Sequence, residues 1–162
     1  MSQKKLTESE LQRYTIDFRE AHFRLAYSYT KNVEDAWDIV QESILKALSA
    51  VKRGMVPEHL NSWFYRILVN ASLDHLKKHK RYVAFELDDT SPLLEFQDVH
   101  SDLDLHHALD RIPTEIRMIV TLRYFEDFKI SEIADILSLN ENTVKTRLYR
   151  GLNLLRIELE EI

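Results

Sequence analysis

Between Thr143 and Ile157 the chain carries Lys145, Arg147, Arg150 and Arg156 and no acidic side chain. At a helical period, with Val144 turned inward, Leu148, Leu152 and Leu155 fall beside it. Asn142, Lys145, Thr146, Tyr149, Arg150, Asn153 and Arg156 fall on the other side. That face offers hydrogen-bond donors, one phenol and positive charge, and its chemistry is recognition of a nucleic-acid groove. Arg and Lys pair with guanine O6 and N7, and Thr meets a base edge or the thymine methyl. Thr143 and Arg147, on the flank, suit phosphates. A basic surface helix in a bundle would share this composition, but the preceding residues argue otherwise. Ile130–Leu137 has the spacing of a short amphipathic helix, Ser138–Asn140 makes a three-residue turn, and Asn140 can cap the helix that follows. Ala134 is small where two helices must cross, and Ile133, Leu137, Leu139, Val144 and Leu148 supply a shared core. Together these predict a helix-turn-helix. The turn position often held by glycine is Ser138, which must adopt its conformation without glycine's tolerance of positive φ.

Two more helix faces carry candidate residues. Asn32 caps a helix whose buried side is Ala36, Ile39, Val40, Ile44, Ala47 and Leu48. Its other side presents Asp35, Asp38, Gln41, Glu42 and Leu45, which by spacing alone is equally a solvated polar face. Gly54 and Pro57 then break the chain, and Pro57 suits the first turn of a helix running to about Lys80. Leu60, Phe64, Ile67, Leu68 and Ala71 cluster on one side of it, and Trp63, Arg66, Asn70, Asp74, Lys77 and Arg81 on another. Its last turn, with Lys77, Lys78, Lys80 and Arg81, complements the helix dipole. It also fits a strand of nucleic acid lying along a basic stripe beside an aromatic.

The elements that must position these faces are helical throughout. The 162 residues include two glycines, three prolines and no cysteine. So few breakers disfavour hairpins and glycine-rich phosphate loops. The absence of thiols excludes disulfides, thiolate zinc sites and cysteine nucleophiles, and fits a reducing cytoplasm. The polar start, Met1–Glu10, predicts no signal peptide, and no apolar run approaches the ~20 residues of a bilayer span. Thr7 and Glu10 form a capping box, followed by one helix with Leu11, Tyr14, Phe18, Ala21 and Leu25 as its apolar stripe. A short helix is predicted around Leu103–Arg111, and Pro113 opens another that ends near Phe125.

The net charge of −5 conceals its placement. Residues 1–81 hold fourteen basic and ten acidic side chains, whereas residues 82–110 hold eight acidic and no basic ones. The stretch Ala84–Asp104 mixes acids, Ser, Thr and Pro92 without helical period and reads as a flexible acidic linker. The fold class is therefore all-α: two small helical domains, 1–83 and 105–162, joined by residues 84–104.

Three blocks in this order resemble the extracytoplasmic-function group of bacterial sigma factors. Asp35–Ala47 (DAWDIVQESILKA) looks like the group's polymerase-binding helix. Ser62–Asp74 (SWFYRILVNASLD) resembles its promoter −10 recognition and melting helix. Glu132–Arg150 (EIADILSLNENTVKTRLYR) is similar to its −35-binding helix-turn-helix. The resemblance implies that Asp35, Asp38, Gln41, Glu42 and Leu45 meet the β′ clamp of core RNA polymerase, and that the C-terminal domain also meets the β flap. It implies that Trp63, Arg66, Asn70, Lys77, Lys78 and Arg81 serve the −10 strand of promoter DNA, with Asn70 near a flipped base. The −35 element falls to Asn142, Thr143, Lys145, Thr146, Arg147, Tyr149 and Arg150. The loop near Lys52–Glu58, part of the family's base pocket, shows no clear match. The resemblance further implies an anti-sigma factor, often membrane-bound, released under envelope or extracellular stress. An acidic linker near the polymerase's RNA exit path would mimic nucleic acid in charge.

Three rival readings stand beside it. A regulator using the helix-turn-helix alone leaves the blocks at 35–47 and 62–74 unexplained, and an adaptor would not need the Lys145–Arg150 face. An enzyme or metal site could use His75 and His79, four apart on one helix. No carboxylate set completes such a site, and a core histidine at 75 with a surface one at 79 accounts for both. No cofactor, metal or catalytic residue is expected.

Overall fold

The computed structural model describes residues 6–83 and 100–160. These contain no strand and form two compact helical units. Most of the predicted linker, 84–99, lies outside the described residues.

In the N-terminal unit the Thr7 hydroxyl accepts from the Glu10 amide at 3.1 Å and caps α1 (Glu8–Asp17). The single helix expected through Leu25 is in fact two. At Phe18 (φ −104°, ψ 14°) the chain bends into α2 (Arg19–Thr30). The amides of Phe18 and His22 still reach the carbonyls of Tyr14 and Phe18, both at 3.0 Å, so the bend costs little hydrogen bonding. The apolar stripe runs on across the break, with Leu11, Tyr14 and Leu25 all buried. Phe18, expected in the core, is 42% exposed, and His22 is fully buried instead.

Asn32 caps α3 (Val33–Lys52) by accepting from the Asp35 amide at 2.9 Å. The helix ends at Gly54, whose φ of 97° lets the Met55 amide turn back to the Ala50 carbonyl at 3.0 Å. That backbone conformation is strained for any residue with a Cβ. α4 (Leu60–Val83) begins three residues after Pro57, not on it, because the first helical bond runs from Trp63 to the His59 carbonyl. Ala36, Ser43 and Ala47 on α3 and Ala71 and Ser72 on α4 are small and buried, which lets the helices approach. The two hydroxyls donate to the Ile39 and Leu68 carbonyls at 2.7 and 2.8 Å, so neither is left bare.

The core histidine of this unit is His22 and not His75. His75 is partly exposed, with Nε2 3.3 Å from an Asp35 carboxylate oxygen. His22 lies among Tyr14, Phe64 and Tyr65, and its Nδ1 is buried without a hydrogen-bond partner. Burial lowers its pKa from 6.5 to about 4. Between those values the unfolded chain binds the extra proton and the folded chain does not. The contribution is therefore complete above pH 6.5 and is lost as pH falls toward 4. The expected loss of stability from this residue is about 2 kcal/mol between pH 7.5 and pH 5. Urea unfolding at both values should show it in the parent and not in His22→Gln, which keeps a donor but takes no proton. Equal pH dependence in the two chains would refute the assignment.

The C-terminal unit opens with α5 (His100–Asp110), which starts inside the stretch read as linker. Pro113 leads into α6 (Thr114–Val120) as expected. The helix then widens into a π-helical turn, Thr121–Phe125, closed by the Glu126 amide on the Thr121 carbonyl at 3.1 Å. α7 (Ile130–Leu137) and α8 (Glu141–Glu160) complete the unit. Ile116, Ile119, Leu122, Ile133, Ile136 and Val144 form its core.

Candidate nucleic-acid interface and partner face

The geometry of the helix-turn-helix is set locally. The Glu132 carboxylate accepts from the Lys129 amide at 3.0 Å and starts α7. Ser138 adopts the left-handed conformation (φ 55°, ψ 45°), and the Leu139 amide reaches back to the Ala134 carbonyl at 2.9 Å. Asn140 Oδ1 accepts from the Asn142 amide at 2.7 Å and caps α8. Val144, Leu148 and Leu155 are buried.

Asn142, Lys145, Thr146, Tyr149 and Arg150 are exposed, Tyr149 to 70%, and Thr143 and Arg147 are half-buried on the flank. The Thr146 hydroxyl donates to the Asn142 carbonyl at 2.9 Å. Its outward side thus offers lone pairs and a methyl group, which suits an amino-bearing base edge or a thymine methyl. Asn153 Oδ1 accepts from Arg156 at 3.2 Å, so those two side chains brace each other.

One residue that shapes this element escaped the sequence reading. Gly151 is buried, and a Cβ there would lie 2.7 Å from Ile116 Cγ2 and 2.8 Å from Val120 Cγ2. α6 and α8 therefore touch at a position only glycine fits. The available signal was a glycine on the inward stripe that Val144, Leu148 and Leu155 define.

On α3, Asp38, Gln41, Glu42 and Leu45 stand exposed, Leu45 to 67%. Glu42 and Lys46 form a surface pair at 3.0 Å, of a kind worth little and easily exchanged for a partner. Asp35 is set apart from these four because its carboxylate is turned to His75 on α4.

On α4, Arg66, Asn70, Asp74, Lys77 and Lys78 are exposed and Trp63 is half-buried. Arg81 lies within the helix, and its side chain falls outside what is described. The same holds for His79. Among the described residues no group of three His, Asp or Glu could hold a metal ion, and no helix is long and apolar enough to cross a membrane.

Residues 17–82 match the family model for sigma-70 region 2, and residues 102–155 match that for sigma-70 region 4. The RNA polymerase sigma factor SigV of Bacillus subtilis strain 168 is 48% identical over 161 residues, 98% of this chain and 96% of that protein. The ECF RNA polymerase sigma factor SigW of the same organism is 27% identical, over 90% of this chain and 86% of that one. Among solved structures, the sigma factor RpoE in complex with the anti-sigma factor NepR from Bartonella quintana shares the fold. Its TM-score is 0.78 at 21% identity, over 93% of this chain and 97% of that one.

Proposed function

The chain belongs to the sigma-70 family of RNA polymerase sigma factors, in its extracytoplasmic-function group, and we propose that three helix faces divide its work. The observation that carries this reading is the coincidence of each family region with one compact unit bearing the appropriate exposed face. The exposed face of α3 docks on the β′ clamp of core polymerase through Asp38, Gln41, Glu42 and Leu45. Acidic groups facing a basic partner add on-rate and orientation, and the exposed Leu45 adds apolar area at the centre. Asp35 contributes at the edge once its link to His75 yields.

The α4 stripe of Trp63, Arg66, Asn70, Lys77, Lys78 and Arg81 holds the single strand of the −10 element. Stacking and phosphate pairing offset the few kcal/mol that extruding a base costs. The α8 face reads the −35 element through Asn142, Lys145, Thr146, Tyr149 and Arg150, with Thr143 and Arg147 on phosphates. Residues 1–83 act as region 2 and the unit that begins with α5 at His100 as region 4, and the tether between them makes the second promoter contact intramolecular. The C-terminal unit also meets the β flap. Bond making belongs to polymerase, and the chain works in the cytoplasm. An anti-sigma factor, membrane-bound in this proposal, masks these faces until a stress signal; the complex seen for RpoE supports such a partner.

The test needs no known promoter. The parent chain binds purified bacterial core polymerase, and Asp38→Ala/Gln41→Ala raises Kd by about 30-fold, or 2 kcal/mol. Unchanged affinity in a folded variant would remove α3 from the interface. A parent that binds no core polymerase would remove the whole assignment.

A further inference from the structure

α4 turns one side to the core and the other to solvent, so a rotation about its axis moves both. Apolar contacts are non-directional and resist such rotation weakly. Hydrogen bonds are directional and resist it well. The first turn of α4 is held by a chain of them. The Tyr14 hydroxyl donates to Asn61 Oδ1 at 2.5 Å and lies 3.1 Å from His22 Nε2. An amide oxygen only accepts, so the phenol proton goes to Asn61 and the Nε2–H of His22 donates to the phenol. The chain thus runs from α2 through α1 into α4. The His22 ring also packs on Phe64, with centroids 4.4 Å apart, and meets Tyr65 edge-on at 5.1 Å. At 100° per residue, Trp63 and Arg66 point about 160° and 140° away from Asn61.

We infer that His22, Tyr14 and Asn61 are positioning residues for the strand-facing side of α4, fixing the rotation of its first turn and so the aim of Trp63 and Arg66. The inference rests on α4 being the −10 face proposed above. None of the three has to touch DNA. The polymerase-facing side chains of α3 do not take part in the chain, so core binding and strand opening should separate when it is broken.

The experiment uses holoenzyme reconstituted from the full chain and core polymerase. Promoters are first mapped by run-off transcription of genomic DNA, and opening is followed by permanganate reactivity of thymines. Tyr14→Phe and Asn61→Leu break the chain. Asn61→Asp keeps the acceptor and His22→Gln keeps the donor. The first pair should slow opening at least tenfold with core affinity within twofold of the parent, and the second pair should stay within threefold on both. Asn61 is half-buried, so its two variants report even if Tyr14→Phe fails to fold. Parental opening rates in Asn61→Leu would overturn the inference. So would a parallel fall of opening and core affinity, which marks a general structural role. A parent holoenzyme that assembles but opens no promoter would instead overturn the assignment of α4, and this inference with it.

Discussion

Lys145→Ala/Arg150→Ala should lower promoter-directed initiation by at least two orders of magnitude while core polymerase binding stays at the parental level. Both side chains are exposed on the acid-free face of α8, and neither position contributes to the core that holds the helix-turn-helix together. A good bidentate contact to a base contributes about 1–3 kcal/mol of discrimination, so two at the middle of that span contribute about 4 kcal/mol, which exceeds a hundredfold. The loss should be of sequence discrimination. On a template with a scrambled −35 element, parent and variant should initiate equally poorly. Arg147→Ala, on the phosphate flank, should weaken binding alike on both templates and reduce the salt slope by about one. Run-off transcription on the two templates across a salt series distinguishes these outcomes. A double variant that still prefers the intact −35 element would remove Lys145 and Arg150 from base readout.

Gly151 carries the second large effect. In an exposed helix, Gly→Ala stabilises by roughly 1 kcal/mol because the unfolded chain loses freedom. Here the sign should reverse. The methyl groups at 2.7 and 2.8 Å belong to Ile116 and Val120, both β-branched and both on α6. Such side chains have one strongly preferred rotamer in a helix, so neither can swing aside. The helices must separate instead, at an overpacking cost of about 1–3 kcal/mol. Gly151→Ala should therefore destabilise the C-terminal unit, and Gly151→Val should do so by about 3 kcal/mol or more. Amide hydrogen exchange in α6 and α8 reads this within the intact chain. Adding Val120→Ala should recover part of the loss, a positive coupling between touching residues. A Gly151→Ala chain with slower exchange than the parent would show that the contact relaxes without cost.

In the proposed function, anti-sigma masking and −35 recognition fall on the same few exposed helix faces. The faces also differ in how they are held. The α8 face is supported by apolar packing along one helix, with Val144 fully buried beneath it. The α4 face depends at its first turn on a polar chain that crosses three helices. A change within that polar chain should therefore disturb the α4 face and leave the α8 face as it is.

What could be read in the amino-acid order concerns neighbours within about one helical turn. The caps at Thr7, Asn32 and Asn140 each bond an amide two or three residues ahead. The limits of α7, the start of α8 and the positive φ of Ser138 followed from the same short range. So did the exposure of the α3 and α8 faces, because a period of 3.6 separates inside from outside without reference to the rest of the chain. The tertiary structure decided what depends on distant partners. His22 became the core histidine because Phe64 and Tyr65 arrive from α4 to pack on its ring. Asp35 faces His75, which stands opposite it on α4, and Gly151 leaves no room for a Cβ because α6 crosses there. Tyr14 and Asn61 are 47 positions apart, and no periodicity links them. Helix periods and caps are written in local spacing, whereas the environment of a buried polar group is created only when separate helices meet.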